Sequence, residues 1–269
     1  MEIKLDNVTT DCLNKISIKF KEGLINGVLG CTGSGKTALA NIISTYQKPL
    51  DGNIEIDGII IDSDNPMINY EILRFDIGYV RQDLEQGFFL ETVFEQLFFI
   101  LSQYNYKNNE KRMIDSLKMV DLSEDYLKRK IETLSSLELF KVSLACVLCL
   151  NPKILIIDDP TTFLDYKGRK TIVKLLRMFK NRYHKTIIVL SSNSDFILDI
   201  CDYIYVLGNK KIVYEGEKYE VFSKNLDKYG IQKPNIIAFE DMVMKDKKIK
   251  IGYRDNINDL IKDIYFYKN

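Results

Sequence analysis

The run Gly30-Cys31-Thr32-Gly33-Ser34-Gly35-Lys36-Thr37 decides how this chain is read. It fits the spacing G-x-x-x-x-G-K-[S/T], in which glycines let the backbone wrap a polyphosphate with its N–H groups pointing inward. Its flanks suit that reading. The apolar stretch Leu24–Leu29 predicts a strand before the loop, and Lys36–Thr45 predicts a helix after it. A helix N-terminus there would add a positive dipole facing the phosphates. Lys36 would reach the β- and γ-phosphates, and Thr37 would offer a hydroxyl to Mg²⁺. A chance glycine-rich turn is the bland alternative, and the strand and helix on the correct sides count against it.

Farther along, Ile154-Leu155-Ile156-Ile157-Asp158 is four apolar residues and an acid, followed by Asp159 and Pro160. Such a buried strand aims Asp158 at the metal side of a bound nucleotide, the Walker B arrangement. An acidic turn after a core strand is the competing reading, and it loses to the presence of the partner motif.

Composition narrows the classes. The chain has 269 residues, with 38 Lys plus Arg against 38 Asp plus Glu, so its formal net charge is zero. Without a basic surplus, no nucleic-acid partner is expected. Hydrophobic residues at 46% and charged residues at 28% exclude a disordered chain. His184 is the sole histidine, which excludes a metal site built from several of them. The longest uncharged run, Val142–Pro152, is too short to span a membrane. Residues 1–10 lack the apolar core of a signal peptide, so a cytoplasmic location is expected. Cys146 and Cys149 form a CxxC pair inside an apolar helical run. Buried free thiols are expected there rather than a redox or metal pair.

Strand-like runs recur at Ile16–Phe20, Leu24–Leu29, Ile54–Ile61 (broken by Asp57-Gly58), Ile77–Val80, Ile154–Asp158, Thr186–Leu190, Tyr203–Leu207 and Lys211–Tyr214. Helical patterns lie between them at Lys36–Thr45, Thr92–Ser102, Glu110–Val120, Ser136–Leu150 and Tyr166–Arg182. The alternation predicts an α/β fold with parallel strands. Residues 90–150 are helical without strands and predict an inserted helical subdomain. After Gly216 the chain turns lysine-rich and weakly patterned, which reads as a small appendage.

Taken together, the motifs resemble those of the ATP-binding cassette (ABC) ATPases, over most of the chain. Gln82, just after the strand Ile77–Val80, stands at the family's Q-loop glutamine. Pro160-Thr161-Thr162-Phe163-Leu164-Asp165 follows Walker B as the family's D-loop does. Leu134-Ser135 lies 24 residues before Asp158, where the signature motif begins. Within the family, the chain looks most like the ATPases of energy-coupling factor (ECF) transporters, which serve vitamin and metal-ion uptake. The stretch Gln82–Gln86 before Glu91-Thr92-Val93, the triplet Val120-Asp121-Leu122, and the tail Tyr229–Pro234 with a helix-like Ile257–Ile264 carry that likeness.

The resemblance implies a P-loop NTPase with a RecA-like mixed sheet core and an antiparallel N-terminal β part. Residues 1–216 would form the ATPase domain, with the helical subdomain at about 90–150. Residues 217–269 would form a C-terminal extension and possible dimerisation region. Gly30, Cys31, Thr32, Gly33, Ser34, Gly35, Lys36, Thr37, Ser135 and Asp165 would bind ATP. Thr37, Gln82 and Asp158 would hold Mg²⁺. Asp159, Gln82 and Ser192 occupy the catalytic positions.

Several of these positions depart from the family pattern. The signature LSGGQ reads Leu134-Ser135-Ser136-Leu137-Glu138 here. Its two glycines have become side chains where backbone must approach closely, and Glu138 is expected to set a negative charge near a phosphate. Asp159 replaces the glutamate that orients the attacking water, with a stem one methylene shorter. Ser192 stands where the switch histidine belongs, while His184 lies at the other end of that strand and reads as a solvated loop residue. The segment Leu5–Cys12 has no aromatic ring to stack on adenine. ATP hydrolysis is therefore expected to be slow or dependent on a partner.

The family works as head-to-tail dimers whose sites combine one chain's phosphate loop with the other's signature. A homodimer would concentrate the defects in both sites, so a heterodimer with a less diverged ATPase is expected. That pair would sit on integral membrane subunits at the cytoplasmic face of the membrane. Phe88, Phe89, Phe94, Phe98 and Phe99 are expected to be mostly core of the helical subdomain; the alternative is a groove for the membrane partner. Other readings stay open: a non-catalytic nucleotide-binding regulatory subunit, a soluble ABC-family ATPase, or a small-molecule kinase using the same loop.

Overall fold

The computed structural model describes residues 1–63, 73, 75–104, 106, 108–162, 164–247 and 257–266. Phe163 of the expected D-loop, and residues 248–256 and 267–269 of the expected extension, lie outside the described residues.

Two sheets organise the chain. The larger has six strands in the order β10 (Lys211–Glu217), β9 (Tyr203–Gly208), β3 (Ile25–Leu29), β8 (Thr186–Ser191), β7 (Ile154–Asp158) and β6 (Ile77–Val80). Strands β9, β3, β8, β7 and β6 run parallel, and β10 closes one edge antiparallel to β9. The smaller sheet is antiparallel, in the order β2 (Ile16–Lys19), β1 (Ile3–Thr9), β4 (Asp51–Ile56) and β5 (Ile59–Ile61).

The continuous apolar runs of β7 and β8 have a simple cause. Side chains alternate between the faces of a strand, and here both faces are covered. Leu155, Ile157, Ile187 and Val189 enter one core, while Ile154, Ile156, Ile188 and Leu190 enter the other. The second core is shared with α1 (Lys36–Ile43) and the smaller sheet, through Leu39, Ile42, Leu5 and Ile54. The first is shared with α2 (Val93–Ser102), α3 (Asn109–Met119), α4 (Ser136–Leu148), α5 (Tyr166–Tyr183) and α6 (Ser194–Ile200).

Between Val80 and Ile154 the described elements are helices and short 3-10 turns, with no strand. Thr92 caps α2 with a reciprocal box: its hydroxyl accepts from the Glu95 N–H, and the Glu95 carboxylate accepts from the Thr92 N–H. Past Gly216, where little pattern was expected, the chain forms α7 (Lys218–Phe222), α8 (Asn235–Lys247) and α9 (Ile257–Phe266). Leu226, Ile237 and Leu260 are fully buried there. None of the described helices is long and apolar enough to cross a membrane.

The aromatic cluster departs from expectation. Phe89, Phe94, Phe98 and Phe99 are exposed, with Phe89 at 62%, and only Phe88 packs partly into the core. On α2 the core positions are instead taken by Val93, Leu97 and Leu101, and the rings of Phe94, Phe98 and Phe99 are left on its outer side, with Phe89 just before the helix. Phe94 stacks on Phe98, and Phe89 meets Phe99 edge to face. Cys146, Cys149 and Cys201 are buried free thiols, as expected of the CxxC pair, and burial pushes the Cys149 thiol up to about 12.

Candidate functional site

Five segments meet at the carboxyl ends of the parallel strands, the usual place for a ligand in an open α/β sheet. Residues 30–37 follow β3, residues 81–82 follow β6, residues 159–162 follow β7, residues 192–195 follow β8, and Gly208 ends β9.

The loop is built around its lysine. Lys36 is buried, and its Nζ donates to the Gly30 carbonyl at 2.9 Å and the Cys31 carbonyl at 3.1 Å. Burial lowers its pKa, while Asp159 and Asp158 pull the other way. Gly35 precedes α1 at φ +105, and a Cβ there would stand 2.9 Å from the Cys12 carbonyl oxygen, so only glycine fits.

Asp158 is buried at the end of β7. Burial raises its carboxyl above the usual carboxylate range; hydrogen bonds from Thr37 and Tyr79 oppose that. The Tyr79 hydroxyl donates to Oδ2 at 3.3 Å, whereas the buried Oδ1 has no hydrogen-bond partner among the described residues. Ser34 Oγ in the loop is likewise buried and unpaired. Two orphaned oxygens beside a buried lysine are costly unless a ligand completes them. A cleft of about 470 Å³ joins Thr37, Gln82 and Asp158 with Tyr79, Arg81 and Thr162. These residues fit a magnesium nucleotide: one or two protein oxygens, with phosphates supplying the rest, is how that cation is ordinarily held.

Asp159 lies under a ring of hydroxyls. Thr161 Oγ1 donates to its Oδ1 at 2.9 Å, Ser191 Oγ to the same oxygen at 3.2 Å, and Ser192 Oγ to Oδ2 at 3.3 Å. The strand register makes this possible. Asp158 pairs with Leu190, and the Asp159 N–H donates to the Leu190 carbonyl at 2.8 Å. Asp159 is buried and sits at φ +38, a strained backbone for a non-glycine residue. Sequence reasoning singled out Ser192 but missed Thr161 and Ser191. The available signal was a hydroxyl residue on each side of the strand ends.

At the signature, Ser135 caps α4. Its N–H donates to Glu138 Oε2 at 2.8 Å, and its hydroxyl donates to the same atom at 2.7 Å. Glu138, expected to set a negative charge near a phosphate, is also drawn into the cap. Its other oxygen accepts from Tyr126 at 2.5 Å and lies 3.7 Å from Arg129. The Tyr126 and Ser135 hydrogen bonds hold its carboxyl down at about 2, so it stays ionised while it closes the capping box.

Asp165 caps α5, accepting from the Gly168 N–H at 2.7 Å. The hydrogen bonds described for Ser135 and Asp165 do not reach the phosphate loop of their own chain. His184 is exposed, in the left-handed turn that ends α5, with the full length of β8 between it and Ser192.

Comparison with known proteins agrees with this geometry. Residues 13–162 match the family described as ABC transporter. The chain is 31% identical over 252 residues to the energy-coupling factor transporter ATP-binding protein EcfA2 of Caldanaerobacter subterraneus, covering 88% of this chain and 87% of that one. To the EcfA2 of Ligilactobacillus salivarius it is 32% identical over 217 residues, covering 78% and 74%. Among solved structures, cbiO1 of Clostridium perfringens, part of the ABC transporter complex cbiONQ, superposes with a TM-score of 0.75 at 27% identity, covering 89% of this chain and 98% of that one. The dimeric post-hydrolysis state of the ATP-binding cassette MJ0796 bound to ADP and Pi gives 0.71 at 27% identity, covering 80% and 98%. With a family match over more than half its length and relatives above 30% identity across most of it, the chain belongs to the ABC transporter family as an ATP-binding cassette.

Proposed function

We propose that the chain is the ATP-binding subunit of an ECF-type importer. It binds Mg-ATP at a dimer interface to drive uptake of a vitamin, metal ion or similar micronutrient, and its own hydrolysis is weak. The observation that carries this reading is the contrast within one cleft. Lys36, Ser34, Thr37 and Asp158 are poised for a nucleotide, whereas the Asp159 carboxylate already accepts three hydroxyl hydrogen bonds.

Lys36 turns from the loop carbonyls to the β- and γ-phosphates, and the loop N–H groups take the remaining phosphate oxygens. Thr37, Gln82 and Asp158 would hold Mg²⁺, which when bound offsets phosphate charge. Asp159 and Ser192 stand where water is oriented. A carboxylate already accepting from Thr161, Ser191 and Ser192 has fewer acceptor positions left for an attacking water. Turnover then relies on a second ATPase, with this chain's phosphate loop facing that partner's signature and Ser135 facing the partner's nucleotide. Asp165 lies on the dimer-facing D-loop.

In this reading, residues 1–216 form the ATPase domain with the helical subdomain at 90–150, and residues 217–269 form an extension that assists pairing. The exposed Phe89, Phe94, Phe98 and Phe99 receive the membrane subunit, which holds the cassette peripherally at the cytoplasmic face. A purely regulatory, non-catalytic subunit is the second reading, and the hydroxyl ring around Asp159 favours it. ATP binding and turnover measured alone and with candidate partner ATPases separates the two. Activity rising in the mixture and falling on Asp159→Ala supports the first, a mixture indifferent to Asp159→Ala supports the second, and full activity of the chain alone overturns both.

A further inference from the structure

The tail stretch Tyr229–Pro234 takes no part in the chemistry above, yet it lies against the phosphate loop. Gly230 sits at φ +71, and a Cβ there would stand 3.6 Å from Cys31 Cβ and 3.9 Å from its Sγ. The Tyr229 ring presses onto the end of β9. A Cβ on Gly208 would come within 2.6 Å of that ring, so a side chain at 208 would displace it. Tyr229 also meets Tyr214 edge to face at 6.1 Å, and the Lys228 ammonium lies 4.9 Å from the Tyr229 ring centre. Leu226 and Ile231 are buried on either side.

Beyond the loop, the same stretch reaches the segment that follows Ser192. The Gln232 carbonyl accepts from Ser194 Oγ, and Asn235 donates through its N–H and Nδ2 to Asp195 at 2.7 and 2.6 Å. It then runs directly into α8, whose first turn is closed by a hydrogen bond from Ala238 N–H to the Pro234 carbonyl. One short segment therefore touches the phosphate loop, the residues after the switch position, and the C-terminal extension.

We infer that residues 226–235 form a strap that positions the phosphate loop and reads whether it holds nucleotide, with Tyr229 and Gly230 as its positioning residues. This rests on the nucleotide-binding reading above. Cys31 is the link. Its carbonyl accepts from Lys36 Nζ, and its side chain is what a Cβ at position 230 would meet. When Lys36 turns to a phosphate it loosens its hold on that carbonyl. The strap runs beside the same residue, so a shift of Cys31 on binding reaches it, and an unequal fit of the strap to the two arrangements is the condition for coupling. Through Asn235 and α8 the difference passes to the extension.

Hydrogen–deuterium exchange of the full chain with and without Mg-ATP, with occupancy measured by calorimetry in the same sample, tests this. Exchange across residues 229–235 should change on binding, while that of the β4–β5 turn at Asp57-Gly58, at the far end of the smaller sheet, should not. Gly230→Asn keeps the left-handed backbone but seats a side chain on Cys31. It should shift the nucleotide Kd about five-fold or more, the lower end of ordinary coupling. Gly230→Ala, which meets Cys31 at ordinary contact distance, should shift it less. Bound nucleotide with unchanged exchange at 229–235 overturns the strap alone, as does a Gly230→Asn Kd equal to wild type. Absence of nucleotide binding overturns the binding reading with it. Should Gly230→Asn fail to fold, the wild-type exchange decides.

Discussion

The phosphate end and the reaction end of this cleft lie one residue apart along β7, yet they are built on opposite plans. Around Asp158, buried oxygens lack partners: Oδ1 of Asp158 and Oγ of Ser34 are both unpaired beside Lys36. Around Asp159, the carboxylate is satisfied from within by Thr161, Ser191 and Ser192. An unpaired buried oxygen favours a ligand, because binding removes its desolvation penalty. A carboxylate with most of its acceptor positions taken gains less from a passing water. The difference teaches that the groups proposed to hold a nucleotide and those proposed to cleave it are built separately, so each can be altered without the other.

The largest expected effect comes from rebuilding the reaction end. Asp159→Glu with Ser192→His restores the longer carboxylate and the imidazole, and should raise kcat by about 100-fold, the scale of a 1 Å correction in placement. Phosphate release measured at saturating Mg-ATP checks this; an unchanged rate breaks the comparison. Attacking the phosphate end comes next. Lys36→Ala removes the charged donor and should weaken ATP binding by about 10–100-fold, from the worth of a charge-assisted hydrogen bond. Calorimetry reads it directly, and wild-type affinity would mean that the loop does not hold the phosphates.

Smaller effects sharpen the role of the signature helix. Ser135→Ala removes the cap of α4 and should cost about 1 kcal/mol, lowering Tm by about 2–4 °C. Glu138 has its carboxyl held at about 2 against an ordinary 4.5, so its contribution is present above 4.5 and fades as the pH falls towards 2. Glu138→Gln keeps a side chain able to form the box but has no charge to lose. Melting followed from pH 5 to pH 2 should be flatter in that variant than in wild type. Parallel curves would place Glu138 outside the capping box.

Much of the fold was legible. β6 and β7 match the apolar runs 77–80 and 154–158 residue for residue, because a strand buried on both faces leaves an unbroken apolar signature. β1 was missed. Its burial alternates only in part, and its register with β2 and β4 shifts beyond Leu5 and Asp6, so no clean period of two survives in Ile3–Thr9. The exposed phenylalanines of α2 were misread for a related reason: a helix so rich in apolar residues does not announce which face turns inward.

Sequence alone determined the phosphate loop, the acid at the end of β7, and the absence of a histidine after β8. These are matters of residue type at short, regular spacing, where local geometry leaves little choice. Tertiary structure decided the rest. Only the parallel register of β7 with β8 sets Ser191 and Ser192 beside Asp159, more than thirty residues away. Only the fold sets Tyr126 and Arg129 beside the Glu138 carboxylate that closes the cap of α4. Folding of the tail over β9 is what brings Gly230 beside Cys31, about two hundred residues earlier in the chain. Such pairings depend on which surfaces the core brings together, and no local spacing encodes them.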